Sequence, residues 1–219
     1  IVSTDFLLAF IARDADAAPG AVTAPTGWTL VNEGACGGGV ACSLSVFQRF
    51  VGTASGTQTF SWTGGQQVTG AILAYRNVNT GTPLDTAATT ATGAADGSQA
   101  PAITTVTNNS MVVRAVVETT GTAPFTTPGG HTERFDLETT GAGATAVAST
   151  GDDFVDATAG ANAAITYTNT GATTAWRGIS IALRPGPVNG HYEIRVDSSG
   201  GDDLNAIGIR AHDGTAGAG

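Results

Sequence analysis

Asp5-Phe-Leu-Leu-Ala-Phe-Ile-Ala-Arg-Asp14 and Ser110-Met-Val-Val-Arg-Ala-Val-Val-Glu-Thr119 share one apolar pattern, and laying the first on the second brings the rest of the chain into register. Ala24-Pro-Thr-Gly-Trp-Thr-Leu-Val31 then falls on Thr127-Pro-Gly-Gly-His-Thr-Glu-Arg134, with proline, glycine and threonine aligned. Further along, Thr57-Gln-Thr-Phe-Ser-Trp62 falls on Asn162-Ala-Ala-Ile-Thr-Tyr167, and Gly70-Ala-Ile-Leu-Ala-Tyr-Arg76 on Gly178-Ile-Ser-Ile-Ala-Leu-Arg184. Four matches in the same order, at offsets of 103 to 108 residues, read as an internal duplication.

Each half reads as strands. The apolar runs are short, rich in β-branched or aromatic residues, and bounded by glycine, proline and asparagine. In Leu44-Ser-Val-Phe-Gln-Arg-Phe50 the alternation puts Leu44, Val46 and Gln48 on one face. Alanine in Thr86 to Ala95 is interleaved with threonine and glycine and shows no helical period, so little or no regular helix is expected. The core is expected to take Phe6, Phe10, Trp28, Phe47, Phe60, Trp62, Tyr75, Phe125, Phe154, Tyr167 and Trp176. Two strand sets, each too small to bury both of its faces, pack most simply as one antiparallel β-sandwich of jelly-roll or immunoglobulin-like type. That makes 1–185 one all-β domain with halves of about 1–82 and 83–185; two separate immunoglobulin-like domains are the alternative.

After Arg184 the breaker cluster Pro185-Gly-Pro-Val-Asn-Gly190 ends the last strand. His191-Tyr-Glu-Ile-Arg-Val196 alternates, and Ala206-Ile-Gly-Ile-Arg-Ala211 is a second candidate strand. Residues 186–219 are too few to bury a core alone, so they are expected to form a hairpin or arm, or the start of another module. Tyr192, Ile194 and Val196 share one face of the first strand and are the candidates for strand exchange with a neighbouring copy.

Composition narrows the class. The 219 residues carry 18 acids against 9 bases, for a net charge of -9. Every base is arginine. So acidic a chain lacks the cationic face that phosphate-tracking nucleic-acid binding or attraction to anionic lipid requires. The longest apolar run, Phe6 to Ala12, falls far short of the roughly 20 residues that span a bilayer, so no membrane insertion is expected. Ile1-Val-Ser-Thr4 leads straight into an apolar strand, and an upstream piece is expected to have been removed. Cys36 and Cys42 bracket Gly-Gly-Gly-Val-Ala, a spacing that a glycine-rich loop can close into a disulfide, and such a bond implies an oxidising compartment.

Motifs for chemistry are sparse. No Gly-x-Ser-x-Gly nucleophile elbow occurs, and His131, His191 and His212 stand apart from any such serine. Asp152-Asp153, Asp156 and Asp202-Asp203 invite an acid–base reading, but neighbours on a strand face opposite ways. Gly151 and Gly200-Gly201 beside the two pairs suggest turns instead. Calcium is the one cofactor considered, with Asp197, Asp202, Asp203 and Asn205 as candidate ligands, although their spacing is not that of an EF-hand. Trp28 and Trp62 are the candidate sugar platforms and Trp176, beside Arg177, a candidate rim residue; all three are more economically assigned to the core.

Asp5-Phe-Leu-Leu-Ala-Phe-Ile-Ala12, Pro25-Thr-Gly-Trp-Thr-Leu30, Ala71-Ile-Leu-Ala-Tyr-Arg76 and Asp85 after Thr82-Pro-Leu together resemble the repetitive β-sandwich modules of large secreted or surface-attached bacterial proteins. Tyr192-Glu-Ile-Arg-Val196 and Asn205-Ala-Ile-Gly-Ile-Arg210 are similar to closing strands of envelope- and pilus-associated modules. The resemblance implies an architecture and an extracellular or cell-surface setting, and transfers no catalytic residue. The expected function is a noncatalytic structural or adhesive module of an extracellular bacterial assembly, a filament subunit through strand addition. Its expected partners are further copies, other extracellular β modules or a glycan. A carbohydrate-binding domain of a secreted enzyme is the alternative.

Overall fold

The computed structural model describes residues 4–14, 20–39, 42–52, 57–63, 67–95, 97–119, 123–139, 146–169 and 175–187. The chain divides into two compact units, Ile1–Gly186 and Pro187–Gly219, and every strand described belongs to the first. In chain order these are β1 (Phe6–Asp14), β2 (Thr29–Ala35), β3 (Cys42–Phe50), β4 (Gln67–Tyr75), β5 (Thr89–Gly93), β6 (Gln99–Ala100) and β7 (Ile103–Thr104). There follow β8 (Ser110–Thr119), β9 (Thr132–Glu138), β10 (Val147–Asp156), β11 (Ala161–Asn162), β12 (Ile165–Thr166) and β13 (Ala175–Leu183). Among the described residues the only helical element is a single 3-10 turn at Gly37–Gly39.

A four-stranded sheet has the order β2-β3-β1-β4, and a five-stranded sheet the order β5-β13-β8-β10-β9. Every pairing is antiparallel. The two sheets face each other across one core, as in a β-sandwich. Phe6, Leu8 and Phe10 of β1 and Leu44 and Val46 of β3 meet Val113, Ala115 and Val117 of β8 and Ile179, Ile181 and Leu183 of β13. Each of these Phe, Leu, Ile and Val side chains, fully buried, stabilises the fold by roughly 1.5–3 kcal/mol.

The central strands are covered on their outer faces too. Leu7, Ala9 and Ile11 pack with Trp28 and Phe47 under Val22, Phe60 and Trp62. On the other sheet Val116 and Ala148 lie with Ala100, Phe125 and Tyr167, and Val112 and Ala182 with Ile103. This double covering explains why β1 and β13 are buried at every position and β8 at every position but Met111, and why apolar residues fall on both faces of each strand.

The two sheets agree in register when β1 is laid on β8 (Phe6 on Met111), β3 on β10 (Phe50 on Val155), β4 on β13 (Tyr75 on Leu183) and β2 on β9 (Thr29 on Thr132). Phe6 pairs with Phe50 and Tyr75, and Met111 pairs with Val155 and Leu183. Thr29 pairs with Gln48, and Thr132 with Asp153. Each outer strand then slips one residue at the same place, leaving Val31 and Arg134 unpaired, the geometry of a β-bulge.

The approach to β2 and β9 is also alike. Gly27 and Gly130 adopt φ of 89° and 82°, a region that glycine enters without steric cost. Trp28 and His131 then donate their N–H groups to Pro25 and Pro128, each at 3.2 Å. The N–H of Val22 donates to Glu33 at 2.9 Å, and that of Phe125 to Asp136 at 2.7 Å.

Cys36 and Cys42 are bonded as expected, with Cα atoms 5.2 Å apart, and lie with the inter-sheet core residues. One feature differs from the sequence reading. Asp152 and Asp153 sit within β10 and not in a turn. The glycine beside them answers to packing, because the ring of Phe135 lies over Gly151 where a Cβ would stand.

Candidate functional site

Asp152 and Asp153 point to opposite faces of the five-stranded sheet, as neighbours on a strand do. Asp153 faces inward and accepts hydrogen bonds from Tyr75 Oη at 2.9 Å and Arg134 Nε at 2.7 Å. Asp152 faces outward. Its Oδ2 accepts from Tyr167 Oη at 2.5 Å, and its Oδ1 lies 2.7 Å from His131 Nδ1. A carboxylate only accepts, so Nδ1 carries the hydrogen. Asp152 is 1% exposed, with both oxygens engaged, and the pair offers no two carboxylates facing one glycosidic bond. Asp156 is held by Thr105 Oγ1 at 2.5 Å and Asn162 Nδ2 at 2.8 Å.

Arg114 completes this outward group as the direct cross-strand partner of Asp152. Its Nη2 donates to the Ala163 carbonyl at 2.8 Å, and its guanidinium lies 5.4 Å from the Phe154 ring centroid. Burial lowers its pKa, while the charges of Tyr167 and Asp152 act in the opposite direction. The equivalent slot on the four-stranded sheet holds Ala9, Trp28, Phe47 and Trp62. A polar group of Arg114, His131, Asp152 and Tyr167 therefore stands where the other sheet has an alanine and three aromatic rings. No compositional signal marks it, since Arg114 and Asp152 stand far apart in sequence and only the shared register unites them.

The other candidate place is the outer face of β4. This strand is the edge of its sheet, and β1 is its only partner strand among the described residues. Thr69 and Tyr75 face the core, while Val68 and Ile72 point outward and stay 43% and 47% exposed. Beside them runs the segment 57–63, held by reciprocal Thr23 and Ser61 backbone hydrogen bonds of 2.7 and 3.0 Å. Between segment and strand lie two adjoining depressions of about 200 and 400 Å³, lined by Ile11, Gln58, Phe60, Trp62, Gly70 and Ile72. Gln58 forms the polar end: its Oε1 accepts from Trp28 Nε1 at 2.9 Å and Arg49 Nη1 at 3.0 Å. An apolar trough beside a strand edge that no described strand pairs can receive an extended chain, the edge supplying backbone hydrogen bonds and the trough side-chain contacts.

Of the sequence candidates, Cys36 and Cys42 are joined. The cation candidates Asp197, Asp202, Asp203 and Asn205, and the strand-exchange candidates Tyr192, Ile194 and Val196, lie outside the described residues. Among the described residues no cluster of three histidine, cysteine, aspartate or glutamate side chains could hold a metal, and no helix is long and apolar enough to cross a membrane. Trp28 and Trp176 are each 9% exposed; Trp62 alone of the three tryptophans lines the trough. The trough itself escaped the sequence reading, because Phe60 and Trp62 had been assigned wholly to the core. No protein family matches the chain, and neither do any curated protein or solved structure.

Proposed function

We propose that this chain is a noncatalytic structural or adhesive module of an extracellular bacterial surface assembly, and that it associates by strand addition. The observation that carries this reading is the outer edge of β4, which no strand among the described residues pairs, with Val68 and Ile72 exposed beside it, since natural β proteins cover or charge such edges unless a partner uses them. A buried disulfide favours an oxidising compartment; the bacterial setting rests on the sequence resemblance alone. The matched registers and bulges favour descent of both sheets from one duplicated unit within an immunoglobulin-like or jelly-roll sandwich.

Light scattering on the purified chain over a concentration series tests the reading. Growth of the particle with concentration is expected, and a strict monomer throughout would overturn it. Trp62 and Gln58 at the trough also favour a second reading, a sugar-binding domain of a secreted enzyme, since an aromatic ring beside an amide suits a pyranose. Saturable binding on a glycan array, abolished by Trp62→Ala, would establish that alternative instead.

A further inference from the structure

The outer faces of β4 and β13 are built on the same register and treated in opposite ways. Val68, Gly70, Ile72 and Ala74 of β4 correspond to Trp176, Gly178, Ser180 and Ala182 of β13. The β13 residues are all buried, Ser180 and Ala182 completely, whereas the β4 residues are exposed. The difference is one stretch of chain. Along the edge of β13 runs β5, pairing Thr90 with Ile179. The chain then turns back so that β6 and β7 lie over β13, pairing Ala100 with Ile165 and Ile103 with Asn162. Ser180 Oγ fastens this cover by donating to the Pro101 carbonyl at 2.7 Å.

Gly178 shows how closely the cover sits, because a Cβ there would run into the Gln99 carbonyl. Gly70 holds the equivalent position on β4, where a Cβ would meet only the Phe10 carbonyl at 3.5 Å. Phe60, the counterpart of Ile165, is in place to receive a covering strand, and among the described residues none pairs with it. The trough is thus the β6–β7 slot standing open.

The tail carries the pattern of the missing cover in the same order. Thr89–Gly93 alternates between half-buried and exposed positions, and His191-Tyr-Glu-Ile-Arg-Val196 alternates apolar and charged residues. A run rich in glycine and aspartate follows each in the sequence, Asp96-Gly-Ser98 and Asp197-Ser-Ser-Gly-Gly-Asp-Asp203. Gln99-Ala-Pro-Ala-Ile-Thr104 then has its match in Asn205-Ala-Ile-Gly-Ile-Arg210, each with alanine second, a small residue fourth and isoleucine fifth.

We propose that the β4 edge and its trough receive residues 191–210 of a second copy. Tyr192, Ile194 and Val196 lie along β4 as β5 lies along β13, and Ala206 rests on Gly70 as Ala100 rests on Gly178. This names the acceptor for the strand-addition reading above and rests on it. The β4 edge supplies N–H and C=O groups, the apolar donor residues fill the trough, and Glu193 and Arg195 remain in water.

Sedimentation velocity on the full chain and three variants tests the assignment. Gly70→Val puts a side chain into the trough at a position with room for it, Ile72→Arg charges its exposed wall, and Ile194→Asp disables the donor. The wild type is expected to form chains that lengthen with concentration. Each variant alone should weaken association at least about tenfold, as loss of a central interface anchor does, with an unchanged thermal midpoint. Mixing Gly70→Val, which keeps its donor, with Ile194→Asp, which keeps its acceptor, should restore one-to-one dimers and nothing longer. Assembly undiminished in both trough variants would overturn this site while leaving an assembly module standing. A wild-type monomer at every concentration would overturn both readings, and absence of heterodimers in the mixture would overturn the donor–acceptor pairing.

Discussion

Tyr75 of the four-stranded sheet donates its phenolic hydrogen across the core to Asp153 Oδ2 of the five-stranded sheet at 2.9 Å. Asp153 is 1% exposed, so Tyr75→Phe removes a donor from a buried charge and leaves Arg134 as its partner from β9. The expected loss of stability is about 1–3 kcal/mol, read from the urea midpoint. An unchanged midpoint would mean that Arg134 alone satisfies the carboxylate.

Alkaline pH should act through the same tyrosines. Burial, reinforced by Asp153 for Tyr75 and by Asp152 for Tyr167, raises both phenol pKa values well above the ordinary range. A raised pKa means that the folded state keeps a proton which the unfolded state releases from about pH 10 upward. Stability is therefore full below that pH and falls above it by up to about 1.4 kcal/mol per pH unit for each tyrosine. Denaturation midpoints from pH 8 to 11.5 should show this fall, and Tyr167→Phe should make it shallower.

Asp85 governs the acid side. Burial alone would raise its pKa, but hydrogen bonds from the Thr107 side chain, from the N–H groups of Val106 and Thr107, and from Arg184 outweigh it and lower the value. The stability tied to this lowered pKa is present above the unfolded carboxylate value of about 3.9 and lost as pH falls through the folded one. Asp85→Ala should cost about 1.5–3 kcal/mol at pH 7 and flatten the acid denaturation curve below pH 5.

Gly70 and Gly178 make a matched pair for substitution. Gly178→Ala drives a methyl into the Gln99 carbonyl, so the β6 cover must lift. The expected cost is about 1–3 kcal/mol, as for overpacking elsewhere. Gly70→Ala should change the thermal midpoint little or raise it, since alanine loses less conformational entropy than glycine in a strand.

The Cys36–Cys42 bond closes a short loop, and the chain-entropy account gives it about 2 kcal/mol. Replacing both cysteines by alanine should lower stability by that amount or more, because Cys42 is wholly buried among core residues. Alkylation of the denatured, unreduced protein should add no mass; uptake of two groups would show free thiols in native material.

How much of this was legible in the sequence depends on which forces set the pattern. Strand β1 is legible in its apolar run Phe6 to Ala12, β8 and β13 in short apolar runs broken by Arg114 and by Ser180, and β3 in its alternation of Leu44 and Val46. The two-residue strands β6, β7, β11 and β12 gave no sign, since two residues carry no period and their role is to lie on other strands. Asp152 and Asp153 read as a turn because aspartate beside glycine usually is one. Here Tyr75 of β4, Arg134 of β9, His131 just before β9 and Tyr167 just after β12 arrive to satisfy them, and no local reading sees such partners. The tail kept its pattern but lies outside the described residues.

The polar group of Arg114, His131, Asp152 and Tyr167 and the apolar group of Ala9, Trp28, Phe47 and Trp62 have a consequence for folding. Two halves with one strand order invite cross-assembly, the characteristic failure of repeated chains. If β8 took the place of β1, Arg114 would arrive beneath Phe47 and Trp28 with no acid opposite, an uncompensated buried charge costing several kcal/mol. The reverse exchange would strand Asp152 against Ala9. The chemistry of each outer face therefore favours its own central strand over that of the look-alike sheet.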